Sequence, residues 1–345
     1  MQAAPSIWVF AFAYFAAYAP YSALTKAISK GLLPGMDHGV SGFAMLPCAV
    51  MASLVGMVVF LTGMGWWKYA SRRRIAGIEV PWPGRMQAIS GLATAVIIGT
   101  TTLAYTFSGV SIVFMMLLMR GGVLVIAPVV DAVSGRKSKW YAWLALALSL
   151  SALVVAFSER GGYAITIVAA VDVFFYLAGY FFRLRIMSAK AKSADPDANK
   201  RYFVEEQMVA TPAVLTLLAI VAIIGQGDVM LEVRAGFTTF FADGVVVSYT
   251  VLVGLLSQCT GIAGGLILLD KRENTFCVPV NRSSSILAGV LAAWLLTWFL
   301  GNPTPGTYKM IGAALIICAI MALSIPPLVE RRRERSAAAA SGGAA

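Results

Sequence analysis

Apolar residues run along this chain in long blocks rather than alternating with polar ones. Ten such stretches can be marked, at residues 7–24, 43–62, 87–107, 111–133, 140–157, 165–182, 208–224, 245–269, 275–296 and 310–328. A helix needs about 20 apolar residues to cross the hydrocarbon of a bilayer, and each block approaches that length. The pattern therefore predicts an all-α integral membrane fold with ten transmembrane helices. Between blocks 7 and 8, residues 227–243 place apolar side chains at near-helical spacing among charges, which predicts a short interfacial helix.

Composition agrees with this reading. The 345 residues are 59% hydrophobic and 12% charged, with mean hydropathy +0.80, far outside the soluble range. Lysines and arginines test the division, because cytoplasmic loops carry their excess. Alternate loops collect 20 against 5, with Arg120 and Arg282 held inside the membrane, and this places both termini in the cytoplasm. The expected location is the inner (plasma) membrane of a bacterium. The same rule accounts for the net charge of +11, so no nucleic-acid partner is expected. The run Arg72-Arg73-Arg74 reads as an anchor at anionic headgroups, with membrane lipids as partners. Span 1 lacks the basic start and small-residue cleavage site of a signal peptide and is expected to be retained. Cys48, Cys259, Cys277 and Cys318 all lie in apolar stretches, so neither a disulfide framework nor a metal site is expected.

An arginine inside an apolar helix asks for a reason, since even low estimates put its cost at the bilayer centre at about 3 kcal/mol. Shifting the sequence against itself by 162 residues lays Met119-Arg120-Gly121-Gly122 on Asn281-Arg282-Ser283-Ser284. The same shift lays Tyr14 and Tyr18 on Tyr176 and Tyr180, and Gly99 on Gly261. One offset serving separate segments predicts two repeats, residues 1–160 and 161–330, followed by a basic, disordered cytoplasmic tail at 331–345. Five is an odd number of spans, so the repeats would be inverted, with the two arginines on either side of the midplane.

Other polar groups inside the spans are candidates for a cavity lining. Tyr14, Tyr18, Tyr21 and Thr25 form a stripe on span 1, which reads either as a cavity wall or as helix packing. Met115, Met116 and Met119 around Arg120 suit an adaptable site or plain gap filling. Asp172 is the one carboxylate placed well within a span; it is expected to pair with Arg120 or Arg282, the other reading being a titrating proton site. The segment 188–207 carries charges of both signs and reads as a hinge between halves.

Ten spans, internal termini, a five-plus-five repeat and very short links before span 4 and span 9 resemble the drug/metabolite transporter superfamily and its EamA-like members. The matching strings run from Tyr105 through Thr-Phe-Ser-Gly-Val-Ser into span 4 with Pro128, and from Thr275 through Phe-Cys-Val-Pro-Val-Asn-Arg into span 9. The resemblance implies a central cavity lined by spans 1, 3, 4, 6, 8 and 9, which places Tyr14, Tyr18, Thr101, Arg120, Asp172, Tyr176, Gln258, Asn281, Arg282 and Ser285 toward substrate. Two guanidiniums facing one carboxylate leave surplus positive charge, and a planar guanidinium fork suits phosphate or carboxylate. The function expected is secondary transport of a small organic anion, phosphorylated or not, by alternating access. Coupling to protons or to a counter-substrate is compatible with it. Two other readings stand beside this one: an exporter of amino acids or amphipathic metabolites with structural arginines, and a lipid flippase or non-transporting scaffold. No nucleophile–base pair, metal cluster or phosphate-binding glycine loop is present, so neither an enzyme nor an ATP-driven pump is expected, and no cofactor.

Overall fold

In the computed structural model, residues 6–75, 77–103, 112–158, 167–192, 195, 197–301 and 307–342 are described. Among the described residues, the regular structure is helical apart from one small hairpin. In order come α1 (Ile7–Ser29), α2 (Gly42–Gly63), strands β1 (Arg72–Ile75) and β2 (Ile78–Pro81), α3 (Arg85–Leu103), α4 (Ile112–Val133), α5 (Trp140–Phe157), α6 (Ile167–Lys190), α7 (Ala198–Ile224), α8 (Gly227–Phe237), α9 (Gly244–Leu268), α10 (Asn274–Leu300) and α11 (Thr307–Gly342). A helix underlies each of the ten apolar stretches, and α8 occupies the short amphipathic segment. Among the described residues, α1, α2, α7, α9 and α10 are long and apolar enough to cross a membrane.

The distribution of side chains is that of a protein turned toward lipid. Val9, Phe12, Val59, Phe174 and Ile223 face outward, while Asp131, Glu206, Asn274, Asn281 and Arg282 are buried. Helices that carry apolar side chains on their outer faces bury their few polar groups against one another, because lipid offers those groups no hydrogen bonds. Prolines within α1, α2, α4, α7 and α10 fit the same setting.

Packing joins distant parts of the chain. α1 lies against α9 and α10, and α6 lies against α3 and α4; α2 packs on α9, and α7 on α3. The pairs α5 with α11 and α4 with α10 also touch. At one end of the bundle, β1 and β2 pair antiparallel with Arg72 opposite Pro81, and Gly77 at φ +86° serves the turn. Glu205 of α7 holds both ends of this hairpin, accepting hydrogen bonds of 2.8 Å from the backbone N–H of Ser71 and of Gly84. At the opposite end, Arg234 of α8 donates to the Ala222 and Ile223 carbonyls at 2.7 and 2.8 Å, where the last carbonyls of α7 favour a cation.

Two expectations need correction. The tail beyond residue 330 is helical as far as Gly342, continuing α11 through a run of Glu, Arg and Ala, all strong helix formers. Arg183, one of the 20 cations assigned to loops by the alternation, is buried inside α6, and 19 against 5 keeps the charge asymmetry.

Candidate functional site

Two ladders of tyrosines, each served by one arginine, form the site. On α1, helical spacing sets Tyr14 beside Tyr18 and Tyr18 edge-on to Tyr21, with ring centroids 5.4 and 5.6 Å apart. On α6, Tyr176 and Tyr180 stack at 4.9 Å. Arg120 reaches from α4 to the first ladder, its Nη2 donating to the Tyr18 hydroxyl at 2.7 Å. Arg282 reaches from α10 to the second, its guanidinium 4.7 Å from the centre of the Tyr180 ring. Each arginine lies 102 residues beyond its tyrosine, 120 less 18 and 282 less 180.

Arg282 is the most constrained of these groups. It is 6% exposed, and its Nε and Nη2 have no hydrogen-bond partner. No ion pair reaches it among the described residues. Its neighbours are neutral: Asn281 donates to the Gly264 carbonyl at 3.3 Å, and the Ser285 hydroxyl donates to the carbonyl of Arg282 itself at 2.8 Å. Gly264 allows α9 to come close here, since a Cβ at that position would sit 2.8 Å from Cε2 of Tyr14. A buried cation with unsatisfied N–H groups is unfavourable unless something supplies the missing acceptors.

The structure thus brings Tyr14, Tyr18, Arg120, Tyr176, Asn281 and Arg282 into one region, whereas Ser285, like Thr101, spends its hydroxyl on its own helix, and among the described residues Gln258 and Asp172 make no bond to this group. The Thr101 hydroxyl donates to the Ile97 carbonyl of its own helix at 2.6 Å. Gln258 lies in the α2–α9 interface, with Nε2 3.8 Å from the Met57 sulfur and its stem against Gly56. Asp172 is 5% exposed, and both of its carboxylate oxygens lack a partner, so the expected ion pair with Arg120 or Arg282 is not formed. The string 105–111 of the family resemblance and the side chains of Met115 and Met116 lie outside the described residues.

Sequence reasoning missed three arrangements. Tyr180 was seen only as a partner in the repeat, yet it is the seat of Arg282. Arg183 and Glu206 form a buried bidentate pair, Nε to Oε1 at 2.8 Å and Nη2 to Oε2 at 2.9 Å. Glu206 also accepts from the hydroxyls of Ser90 at 2.8 Å, Thr94 at 3.0 Å and Tyr202 at 3.3 Å. Finally, Asp131 at the end of α4 caps α10: it accepts from N and Nδ2 of Asn274 at 3.0 and 2.8 Å, and from N and Oγ1 of Thr275 at 2.6 and 2.7 Å. Lys192 completes that junction by donating to the Arg272 carbonyl at 2.7 Å and to Asn274 Oδ1 at 3.1 Å. Burial lowers the Lys192 ammonium below the ordinary lysine range.

Two surface hollows lie elsewhere, beside the hairpin. One of about 670 Å³ is lined by Lys68, Tyr69, Ser71, Arg72, Asp197 and Arg201, and neither arginine of the tyrosine ladders borders it.

No family model matches the chain, and no curated protein matches it. Among solved structures, one described as "Crystal structure of protein" is similar over 94% of this chain and 98% of its own, with a TM-score of 0.53 and 16% identity. At that identity the likeness is one of fold, and it extends over nearly the whole of both chains.

Proposed function

We propose that this protein is a secondary transporter of a small organic anion, built as two five-helix repeats of opposite orientation around the Arg120 and Arg282 ladders. The observation that carries the reading is Arg282, a buried guanidinium with two nitrogens unsatisfied and, among the described residues, no carboxylate in ion-pair contact with it. An anion supplies both the charge and the acceptors, and a guanidinium offers it two parallel N–H donors. The tyrosine faces provide an apolar wall for the body of the ligand.

Support for the repeat comes from the packing. α1 on α9 and α10 has its counterpart in α6 on α3 and α4, and α2 on α9 in α7 on α3. The equal spacing of the two arginine–tyrosine pairs follows from the same duplication. An apolar outer surface over long helices supports a multi-pass membrane protein in which the hairpin end faces the cytoplasm. The reading with structural arginines has the Arg120–Tyr18 hydrogen bond in its favour, since that donor is already engaged within the protein.

The test is a thermal-shift screen of the purified protein against phosphorylated metabolites, carboxylates, amino acids and lipids, because a ligand of the native state raises its stability. Anions should raise the melting temperature of the wild type. Arg282→Gln should abolish the shift, and Arg282→Lys should restore part of it. An undiminished anion shift in a folded Arg120→Gln, Arg282→Gln double variant overturns the anion reading in favour of the amino-acid or amphipathic exporter.

A further inference from the structure

We propose that Asp172 is a proton-binding site, loaded together with the anion at Arg282; this rests on the anion reading above. Both groups are buried, Asp172 through both carboxylate oxygens and Arg282 through Nε and Nη2 have polar atoms with no hydrogen-bond partner, and they carry opposite charge. The economical resolution, a mutual ion pair, is not the one adopted. Arg282 instead sits against Tyr180, eight residues along α6 from Asp172, about 12 Å of helix rise. Asp172, Tyr176 and Tyr180 recur at four-residue steps and so share one face of α6, which puts the carboxyl on the helix that also builds the anion site.

No other group settles the carboxyl. Among the helices packed on α6, α3 carries Arg85, α4 carries Arg120 and Asp131, and α7 carries Lys200, Arg201, Tyr202, Glu205 and Glu206. Arg120 donates to Tyr18, Asp131 caps α10, Glu205 holds the hairpin and Glu206 holds Arg183. The remaining titratable groups on α6 itself are Tyr176, Tyr180, Arg183, Arg185 and Lys190. None of these bonds to Asp172 among the described residues. A buried carboxylate whose two oxygens have no hydrogen-bond partner is strongly disfavoured, and taking up a proton from the solvent turns it into a neutral acid, with no further reactant.

The pairing of the two sites gives a reason for coupling. With the anion on Arg282 and the proton on Asp172, neither charge is left exposed to the apolar interior. With only one of them loaded, a net charge is left in the interior as the helices move, whereas with neither loaded the two opposite charges cancel. The doubly and the wholly unloaded forms carry no net charge at the two groups and are the ones that reorient, so the anion travels with a proton and the empty carrier returns.

The proton itself is the probe. Infrared difference spectra of the purified protein in lipid, between acid and alkaline buffer, should show the C=O stretch of a protonated carboxyl group, lost on alkaline titration and shifted in heavy water. Asp172→Asn should remove that band, and Asp172→Glu should move its frequency while keeping it titratable. A wild-type spectrum without the band, or a band unchanged in Asp172→Glu, overturns the proposal, and the wild type and the Glu variant decide the matter even if Asp172→Asn does not fold. Because no anion is added, failure here leaves the Arg282 thermal-shift result to be judged separately.

Discussion

Replacing Glu206 by Gln should be among the most damaging single changes in this protein, and the structure explains why it should be worse than removing its partner. Glu206 is fully buried and accepts two hydrogen bonds from Arg183 and one each from Ser90, Thr94 and Tyr202. When Arg183 is lost, three hydroxyl donors still face the carboxylate. When Glu206 is neutralised, Arg183 keeps its charge in a buried site with no other side-chain acceptor among its hydrogen bonds. Breaking a buried pair from one side costs about 3–5 kcal/mol. Glu206→Gln should fall at the upper end of that range and Arg183→Gln toward the lower end. Replacing both with Arg183→Met and Glu206→Leu should recover much of the loss, since an apolar pair of similar volume removes the desolvation cost altogether. The assay is thermal unfolding of the four proteins in one detergent, with the melting temperatures compared directly. Equal melting temperatures for Glu206→Gln and wild type, or a double variant less stable than either single one, would refute the argument.

Two further outcomes follow from the junction at the start of α10. Asp131→Asn keeps the shape but loses the charge facing the positive helix end, about 1 kcal/mol, whereas Asp131→Ala also strands the N–H groups it accepted and should cost about 2 kcal/mol or more; a melting order other than wild type, Asn, Ala would count against the cap. Burial lowers the pKa of Lys192 from its ordinary value of 10.5, so the unfolded chain binds more protons in the window just below that value, and stability should rise with pH there. Lys192→Met should flatten that alkaline rise, and an identical pH profile in the two proteins would show that the ammonium is not the source.

Particular residues show where the reading of the chain succeeds and where it stops. The apolar blocks and the helices drawn over them agree because helix formation in such segments depends on nearby residues, and every backbone group is satisfied within the segment itself. The amphipathic run that becomes α8 is local in the same sense. Arg120 and Arg282 stand out in sequence because each is a lone cation in an apolar block and one shift of 162 residues lays the first on the second, which needs no knowledge of packing. Gln258 does not follow the same logic. It is polar and inside a helix, yet the rotation of α9 against α2 turns it toward Met57 and away from the arginines.

By itself the sequence determined the helical, lipid-facing character of the chain, the positions of the apolar segments and the arginines worth attention, because length, hydropathy and repetition are properties of the linear order. Only the tertiary structure decided which buried charges are compensated. Glu206 and Arg183 are separated by 23 residues and meet because α6 and α7 bring them to the same level, with Ser90 and Thr94 supplied by α3. Asp131 and Asn274 are 143 residues apart, and the first reaches the second because α4 ends where α10 begins. Asp172 and Arg282, which the sequence would pair, are kept separate by the level of each on its helix. The relative height and rotation of packed helices is set by the sum of many side-chain contacts, and no single stretch of sequence carries it.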